Sequence, residues 1–334
     1  IGNQSWHVVQ SGGEALTGID CNDNQDSCSW NYDIDATGDG TTRALYAAVE
    51  VALNEQWTAD IGLRNENHTI DYTVDEGLTG QVSKAVSYDE SKIAWTAGVN
   101  WMWQKNMGVF ARVNKGNKMP FFDDFRDNYG AFTSGEKLIK EVTQFELGYK
   151  WAEQNYSFYA TSFYNEVEGD TFVRRPGDPA EVMTNRAYGV ELDFNYFTSV
   201  GFSLNLNSTL QKTEITESPT NEGNRAQRQP RWQVRLTPSY GFEAFEDTFA
   251  SVYGTIASVS DRYADNENTV TLAGYTKIDA GLQLELTEQL KTQLSVDNLT
   301  DKQGLTEGDP RNPTSPNGRY ILPRSVTLSM TYQF

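Results

Sequence analysis

No stretch of this sequence approaches the ~18–20 consecutive apolar residues that a membrane-spanning helix needs, and mean hydropathy is −0.59. That excludes a helical span. It leaves open a strand crossing, where lipid meets only every second residue. Histidine is nearly absent: His7 and His68 are the only two, too few for a metal cluster. No nucleophile elbow or paired catalytic motif accompanies them, so the chain does not read as an enzyme. No cofactor motif is present and none is expected. Basic charge is also scarce. Lys and Arg number 27 against 46 Asp and Glu, a net charge of −19, which repels nucleic acid.

Cysteine is limited to Cys21 and Cys28, within the polar run Asp20–Cys28. A pair this close in a loop reads as a small disulfide of an oxidising compartment, with two free thiols as the plainer alternative. No nearby His or further Cys points to zinc. The chain opens at Ile1 without Met or a signal peptide, as a mature chain or a fragment would.

What is abundant is alternation. Val326, Leu328, Met330, Tyr332 and Phe334 interleave with Ser, Thr and Gln. Ile278–Leu286, Trp232–Tyr240, Phe202–Leu210, Phe145–Trp151 and Ile93–Trp103 repeat the pattern. Period two means strands with one greasy face. Fourteen segments stand out, at 4–10, 42–53, 57–72, 91–103, 107–114, 140–151, 155–173, 184–197, 202–214, 231–241, 247–260, 274–286, 290–299 and 320–334. Most reach the ~9–11 residues a tilted strand needs to cross a bilayer.

The connections alternate in length. Short turns near 54–56, 104–106, 152–154, 198–201, 242–246 and 287–289 separate long polar stretches at 11–41, 73–90, 115–139, 174–183, 215–230, 261–273 and 300–319. Outer-membrane barrels have short periplasmic turns and long extracellular loops. Aromatics gather beside the short turns, among them Trp57, Trp101, Trp103, Trp151, Tyr156 and Tyr240, as an interfacial girdle would. The expected fold is therefore all-β, a transmembrane antiparallel β-barrel of about fourteen strands here. Strand positions carrying Glu50, Asp60, Arg64, Glu146, Lys150, Glu191, Asp193, Arg235, Asp279 and Glu285 must then face a wet or polar-filled lumen.

Several loop features suggest contacts. Arg126 and Tyr129 lie in 115–139, Arg174 and Arg175 open 174–183, and Arg225 and Arg228 close 215–230. Arginine pairs well with carboxylate or phosphate, so these residues could hold an anionic ligand, meet lipopolysaccharide phosphates, or stay solvated. Asp33, Asp35 and Asp39 form a weak calcium candidate without the EF-hand spacing, and a solvated acidic loop is the plainer reading.

Four stretches carry a family resemblance: Phe110-Ala111-Arg112 through Met119-Pro120, Asn185-Arg186-Ala187-Tyr188-Gly189, Val296-Asp297-Asn298-Leu299-Thr300-Asp301-Lys302, and Arg319-Tyr320 through Phe334. Together they resemble the barrel of TonB-dependent outer-membrane receptors over roughly 107–334. Asn117 departs from the aromatic often found there. The resemblance implies a 22-stranded barrel closed by an N-terminal plug. The fourteen strands would be strands 9–22, and the plug would lie outside this sequence. It further implies active import of a scarce nutrient, foremost a ferric siderophore, coupled through the plug to TonB–ExbB–ExbD. Terminal Phe334 would be the signal read by the barrel-assembly machinery. Oligosaccharide uptake, a passive fourteen-stranded porin and a surface adhesin are the alternatives.

Overall fold

In the computed structural model the described residues are 2–17, 27–78, 82–122, 124, 138–172, 181–245, 248–308 and 318–334, with side chains described from residue 36 onward except at 74–78, 82–84 and 172. Fourteen strands form one antiparallel sheet in chain order. They are β1 (Gly2–Thr17), β2 (Ser27–Ala52), β3 (Trp57–Leu78), β4 (Val82–Gln104), β5 (Met107–Lys118), β6 (Lys140–Ala152), β7 (Tyr156–Phe172), β8 (Glu181–Phe197), β9 (Phe202–Glu217), β10 (Trp232–Phe245), β11 (Thr248–Val259), β14 (Tyr275–Glu285), β15 (Leu290–Asp297) and β18 (Ser325–Tyr332). Two hairpins stand apart: β12 (Arg262–Tyr263) with β13 (Thr271–Leu272), and β16 (Leu305–Gly308) with β17 (Gly318–Tyr320). The sheet order begins at β1 and ends at β18.

One face of this sheet is apolar and uncovered. Leu45, Ile61, Leu63, Ile93, Phe145, Leu147, Val190, Leu210, Ile256, Leu294, Val326, Leu328 and Met330 are all exposed. The registers place them in continuous rows, such as Ala111↔Leu147↔Ser162↔Val190↔Leu210↔Trp232. A surface of this extent is intolerable in water and required against lipid. No helix among the described residues is long and apolar enough to cross a membrane, which says nothing about strands. The opposite face carries the charges expected of a lumen. Arg112 donates to Asp60 at 2.9 Å, Lys150 to Asn100 at 2.7 Å, and Lys277 pairs with Asp279 at 3.0 Å.

The short turns cap themselves. Asn54 accepts from the amides of Gln56 and Trp57 at 2.8 and 3.0 Å, and Thr287 does the same for Gln289 and Leu290. Beside these turns the aromatics touch one another. Trp57 stacks on Trp101 at 5.2 Å, Trp103 on Tyr149 at 6.1 Å, and Trp151 meets Tyr156 edge-on at 4.8 Å. Such a belt suits the boundary between acyl chains and water.

The strands differ from expectation at the other end. Most of 11–41 and 73–90 belongs to β1–β4, which reach 16, 26, 22 and 23 residues. The ladder persists there because backbone pairing does not depend on hydropathy. Once a strand leaves the lipid its outer face turns polar, and the period-two signal fades. Its inner face stays apolar: Ala36, Ile70, Tyr72, Val86 and Tyr88 are buried. Shorter corrections apply elsewhere: 261–273 and 300–319 contain the β12–β13 and β16–β17 hairpins, and β8 starts at Glu181.

Candidate functional site

The extracellular mouth is built by loops tied to each other rather than hanging free. In the β11–β14 connection the carboxylate of Asp265 accepts from the amides of Thr269 and Val270 at 3.0 and 3.1 Å, a local turn that an Asp side chain makes readily. Asn268 sits at φ 59°, a left-handed conformation that Asn tolerates. Its side chain exchanges two hydrogen bonds with the backbone of Arg225, both 2.9 Å. Asn224 donates to Asn266 O at 2.9 Å, and the amide of Gln227 donates to Asn266 Oδ1 at 3.1 Å. The β9–β10 connection is therefore stitched to its neighbour by side chain and main chain alike.

Arginines lock the seam. The Arg225 guanidinium is mostly buried; it pairs with Asp261 at 3.4 Å, donates to Gln229 O, and lies 5.2 Å from the Tyr263 ring centre. Arg228 gives its amide to Tyr263 O and its guanidinium to Glu307 at 3.3 Å. Arg262 is buried, donates to the carbonyls of Leu305 and Thr306, and lies over Tyr275. Nothing in the sequence singled out Arg262, Asp265 or Asn268. The density of Asn and Asp in 261–268 was the available signal.

A second tie runs from the β5–β6 connection. Phe122 is buried against the inner face of β2, where a Cβ on Gly38 would come within 2.5 Å of its ring. Met119 and Pro120 are buried with it, near the apolar patch of Ile70, Tyr72, Val86 and Tyr88. At the base of the same connection Glu141 bridges Lys92 and Lys115. Hydrogen bonds from those two ammonium groups hold its carboxyl below the usual range.

A third knot explains the Val296–Lys302 motif. Asn298 is fully buried at φ 51°. Its amide nitrogen donates to Lys302 O and Leu322 O at 3.0 and 2.9 Å, and its oxygen accepts from the Lys302 amide at 2.8 Å. Its own amide donates to Asp279 on the lumen face, and Asp301 receives the amide of Arg324. The motif folds the chain back so that β18 can pair with β15.

Of the residues singled out by sequence, Arg126, Tyr129, Arg174, Arg175 and Cys21 lie outside the described residues, as does the side chain of Cys28, which stands opposite Leu16 in the β1–β2 ladder. Arg225 and Arg228 lie together in the seam, each already engaged. Asp33, Asp35 and Asp39 lie on strand β2 rather than in a loop. An extended chain puts Asp33 and Asp39 about 20 Å apart, too far to share one ion. Among the described residues no cluster of metal-ligating side chains occurs. Phe334 is fully exposed and meets Tyr332 edge-on at 5.1 Å.

A lipid-facing antiparallel sheet with a charged inner face and laced outer loops is the wall of an outer-membrane β-barrel. The family model for the TonB-dependent receptor-like β-barrel matches residues 3–299, and the chain belongs to that family. Among curated relatives, the probable TonB-dependent siderophore receptor PiuA of Acinetobacter baumannii is 22% identical over 298 residues, 82% of this chain and 38% of PiuA. The pesticin receptor of Yersinia pestis is 25% identical over 259 residues, 74% of this chain and 37% of the receptor. The crystal structure of the ferric yersiniabactin uptake receptor FyuA from Yersinia pestis superimposes with a TM-score of 0.77 at 18% identity, covering 92% of this chain and 49% of FyuA. That of the copper transporter OprC gives 0.69 at 16%. The chain thus spans about half or less of the relatives it matches.

Proposed function

We propose that this chain is the wall of a receptor that actively imports a scarce nutrient, most readily a ferric siderophore. In this reading a plug outside these 334 residues fills the lumen and couples to TonB–ExbB–ExbD. The charged inner face carries the proposal. Asp60, Arg112, Lys150, Asp193 and Asp279 line it on strands whose other face meets lipid, which suits a lumen packed against a polar domain. The relatives named for siderophores support the choice of cargo.

Within this reading the residues divide by role. Arg126, Tyr129, Arg174 and Arg175 are the candidate contacts to an anionic chelate. Arg225 and Arg228 brace the loops that frame it. Phe334 hands the nascent barrel to the assembly machinery. No bond in the cargo is broken. A plugged pore cannot leak, so uptake requires a coupled conformational change of the plug.

The test is uptake of a radiolabelled ferric chelate by cells carrying the full receptor, with and without TonB. Loss of uptake without TonB supports the reading. Uptake indifferent to TonB, together with ion conductance in a planar bilayer, replaces it with a passive porin. TonB-dependent uptake of an oligosaccharide instead of the chelate changes the cargo and keeps the mechanism.

A further inference from the structure

A pocket of about 400 Å³ opens where β9, β10, β11 and β14 run side by side, just below the laced seam. Asn207, Thr209, Gln233, Arg235, Val259 and Tyr275 are among its walls. The registers put these residues on the lumen face. Gln233 stands between Thr209 and Val259, Val259 pairs with Tyr275, and Arg235 stands between Asn207 and Ala257. Leu210, Trp232 and Ile256, on the alternate parity, are the ones exposed to lipid. Whatever occupies this pocket comes from inside the barrel.

The wall around the pocket is bonded to itself. Asp193 accepts from Asn195 at 2.7 Å and from Asn207. Lys277 pairs with Asp279 at 3.0 Å, Thr237 with Thr255 at 3.1 Å, and Ser203 with Ser239 at 2.6 Å. Farther round, Arg112 is engaged by Asp60 and Lys150 by Asn100. Arg235 is the exception. It is exposed, and its guanidinium has no hydrogen-bond or ion-pair partner among the described residues. The side chains of Gln233 and Thr209 beside it are equally unspent among those residues. Tyr275 closes the upper side, its ring held by the Arg262 guanidinium 5.7 Å from its centre. Two carboxylates stand two strands from β10, about 10 Å off: the engaged Asp193, and Glu191 opposite Thr209. A planar cationic fork, an amide, a hydroxyl and a phenol thus converge on one space. That space is larger than a single side-chain carboxylate needs and falls in the range of small-molecule sites.

We propose that this pocket is an inner anion site, on the lumen wall below the mouth, that binds a small polycarboxylate. The inference rests on reading the chain as the wall of an importing receptor. One carboxylate of the ligand lies in the plane of the Arg235 guanidinium and takes two parallel hydrogen bonds from it. Gln233 and Thr209 donate to the remaining oxygens, while Tyr275 and Val259 cover the carbon skeleton. In a lumen shielded from bulk water the attraction between guanidinium and carboxylate exceeds that of the same pair on an open surface. The site is separate from the loop arginines at the mouth. An anionic cargo leaving those loops meets Arg235 next, against the wall and beneath the seam.

The experiment uses the full receptor, purified in detergent, with citrate as an iron-free tricarboxylate probe. Crystals soaked in citrate locate the probe, and calorimetric titration at low salt counts the sites in solution. Wild type is compared with Arg235→Gln, with Arg235→Lys, and with Arg64→Gln as a control cation elsewhere on the wall. Arg235 is exposed, so its variants are expected to fold, which the heat-dependent shift in electrophoretic mobility checks. The expected result is citrate density against Arg235, Gln233 and Thr209. In solution one site is weakened at least fivefold in Arg235→Gln, less in Arg235→Lys, and unchanged in Arg64→Gln. An empty pocket in the soaked crystals overturns the proposal. So does a pocket filled by an acidic side chain of the domain that occupies the lumen, which would make Arg235 a bond of that domain. Density in the crystal with the same titration in Arg235→Gln marks binding at crystal concentration only and overturns it too. The transport reading fails on a different observation, TonB-independent ion conductance by the full receptor, whether or not citrate binds at Arg235.

Discussion

Phe122 lies across Gly38 so closely that β2 has no room for even one methyl group at that position. The ring comes from the β5–β6 connection and the glycine from a strand more than eighty positions earlier, so this contact ties the start of that connection to β2. Gly38→Val is expected to expel the ring and raise tryptic cleavage after Arg126 severalfold. Phe122→Ala removes a fully buried ring and costs about 3–5 kcal/mol if the connection stays docked. The double variant is expected to be no worse than the worse single one, because both break the same contact. Additive damage would mean that the two residues act separately.

Asn298 is expected to be the least replaceable residue near the C-terminus. Asn298→Ala leaves the carbonyls of Lys302 and Leu322 and the amide of Lys302 without partners, at about 2–3 kcal/mol in total. Asn298→Asp restores the acceptor but not the donor, and brings a charge beside Asp279 and Asp301. Both variants should lower the heat-resistant folded fraction, Asp no less than Ala. A fully folded Asn298→Asp barrel would contradict the bonding described.

The Glu141 bridge should be sensitive to acid. Hydrogen bonds from Lys92 and Lys115 depress its pKa in the folded protein, so the carboxylate is favoured there. Its contribution is complete above the ordinary Glu value of about 4.3 and fades as pH falls through the lower folded value. Glu141→Gln is therefore expected to loosen the β5–β6 connection at pH 6, measured by limited proteolysis, with the difference from wild type shrinking as pH falls below the ordinary Glu range. A difference that stays constant down to the acid limit of folding would assign the effect to packing. The site lies beyond the apolar part of β6, which begins at Phe145.

Sequence pattern made the membrane-spanning part legible and the mouth much less so. Lipid imposes a period-two code on Leu204, Leu206 and Leu210, and the code survives without any knowledge of partners. No such code applies to the outer faces above the lipid, where β2–β4 continue with polar residues; there the buried inner-face residues Ile70, Tyr72, Val86 and Tyr88 betray a sheet. Arg225 and Arg228 attracted notice as basic residues on an acidic chain, yet their partners Asp261, Asn268, Tyr263 and Glu307 come from distant connections. Pairing across loops leaves no local spacing to read. The Asn298 motif was recognisable as a string, and its mechanism appeared only when the carbonyl of Leu322 came into place.

The laced seam should loosen as one piece. Arg225→Ala removes a guanidinium that ties Asp261, Gln229 and Tyr263, and amide exchange over 224–229 and 262–270 is expected to rise together by about tenfold, near 1.4 kcal/mol of local opening. Arg225→Lys should not rescue it, since a lone ammonium cannot reproduce the planar fork. Faster exchange confined to 224–229 would show that the two connections are not coupled.

The 26 residues of β2 make a path of about 85 Å at ~3.3 Å per residue. Tilted at about 40°, that path climbs about 65 Å, whereas the apolar band of such barrels is only about 25 Å tall. Much of β2, with β3 and β4 beside it, therefore stands clear of the lipid as a pleated palisade. Neighbouring positions on that palisade, such as Thr41, Thr69 and Asp89, come from three different strands. A binder selected on linear peptides would miss it; one selected on the folded wall would read across the ladder.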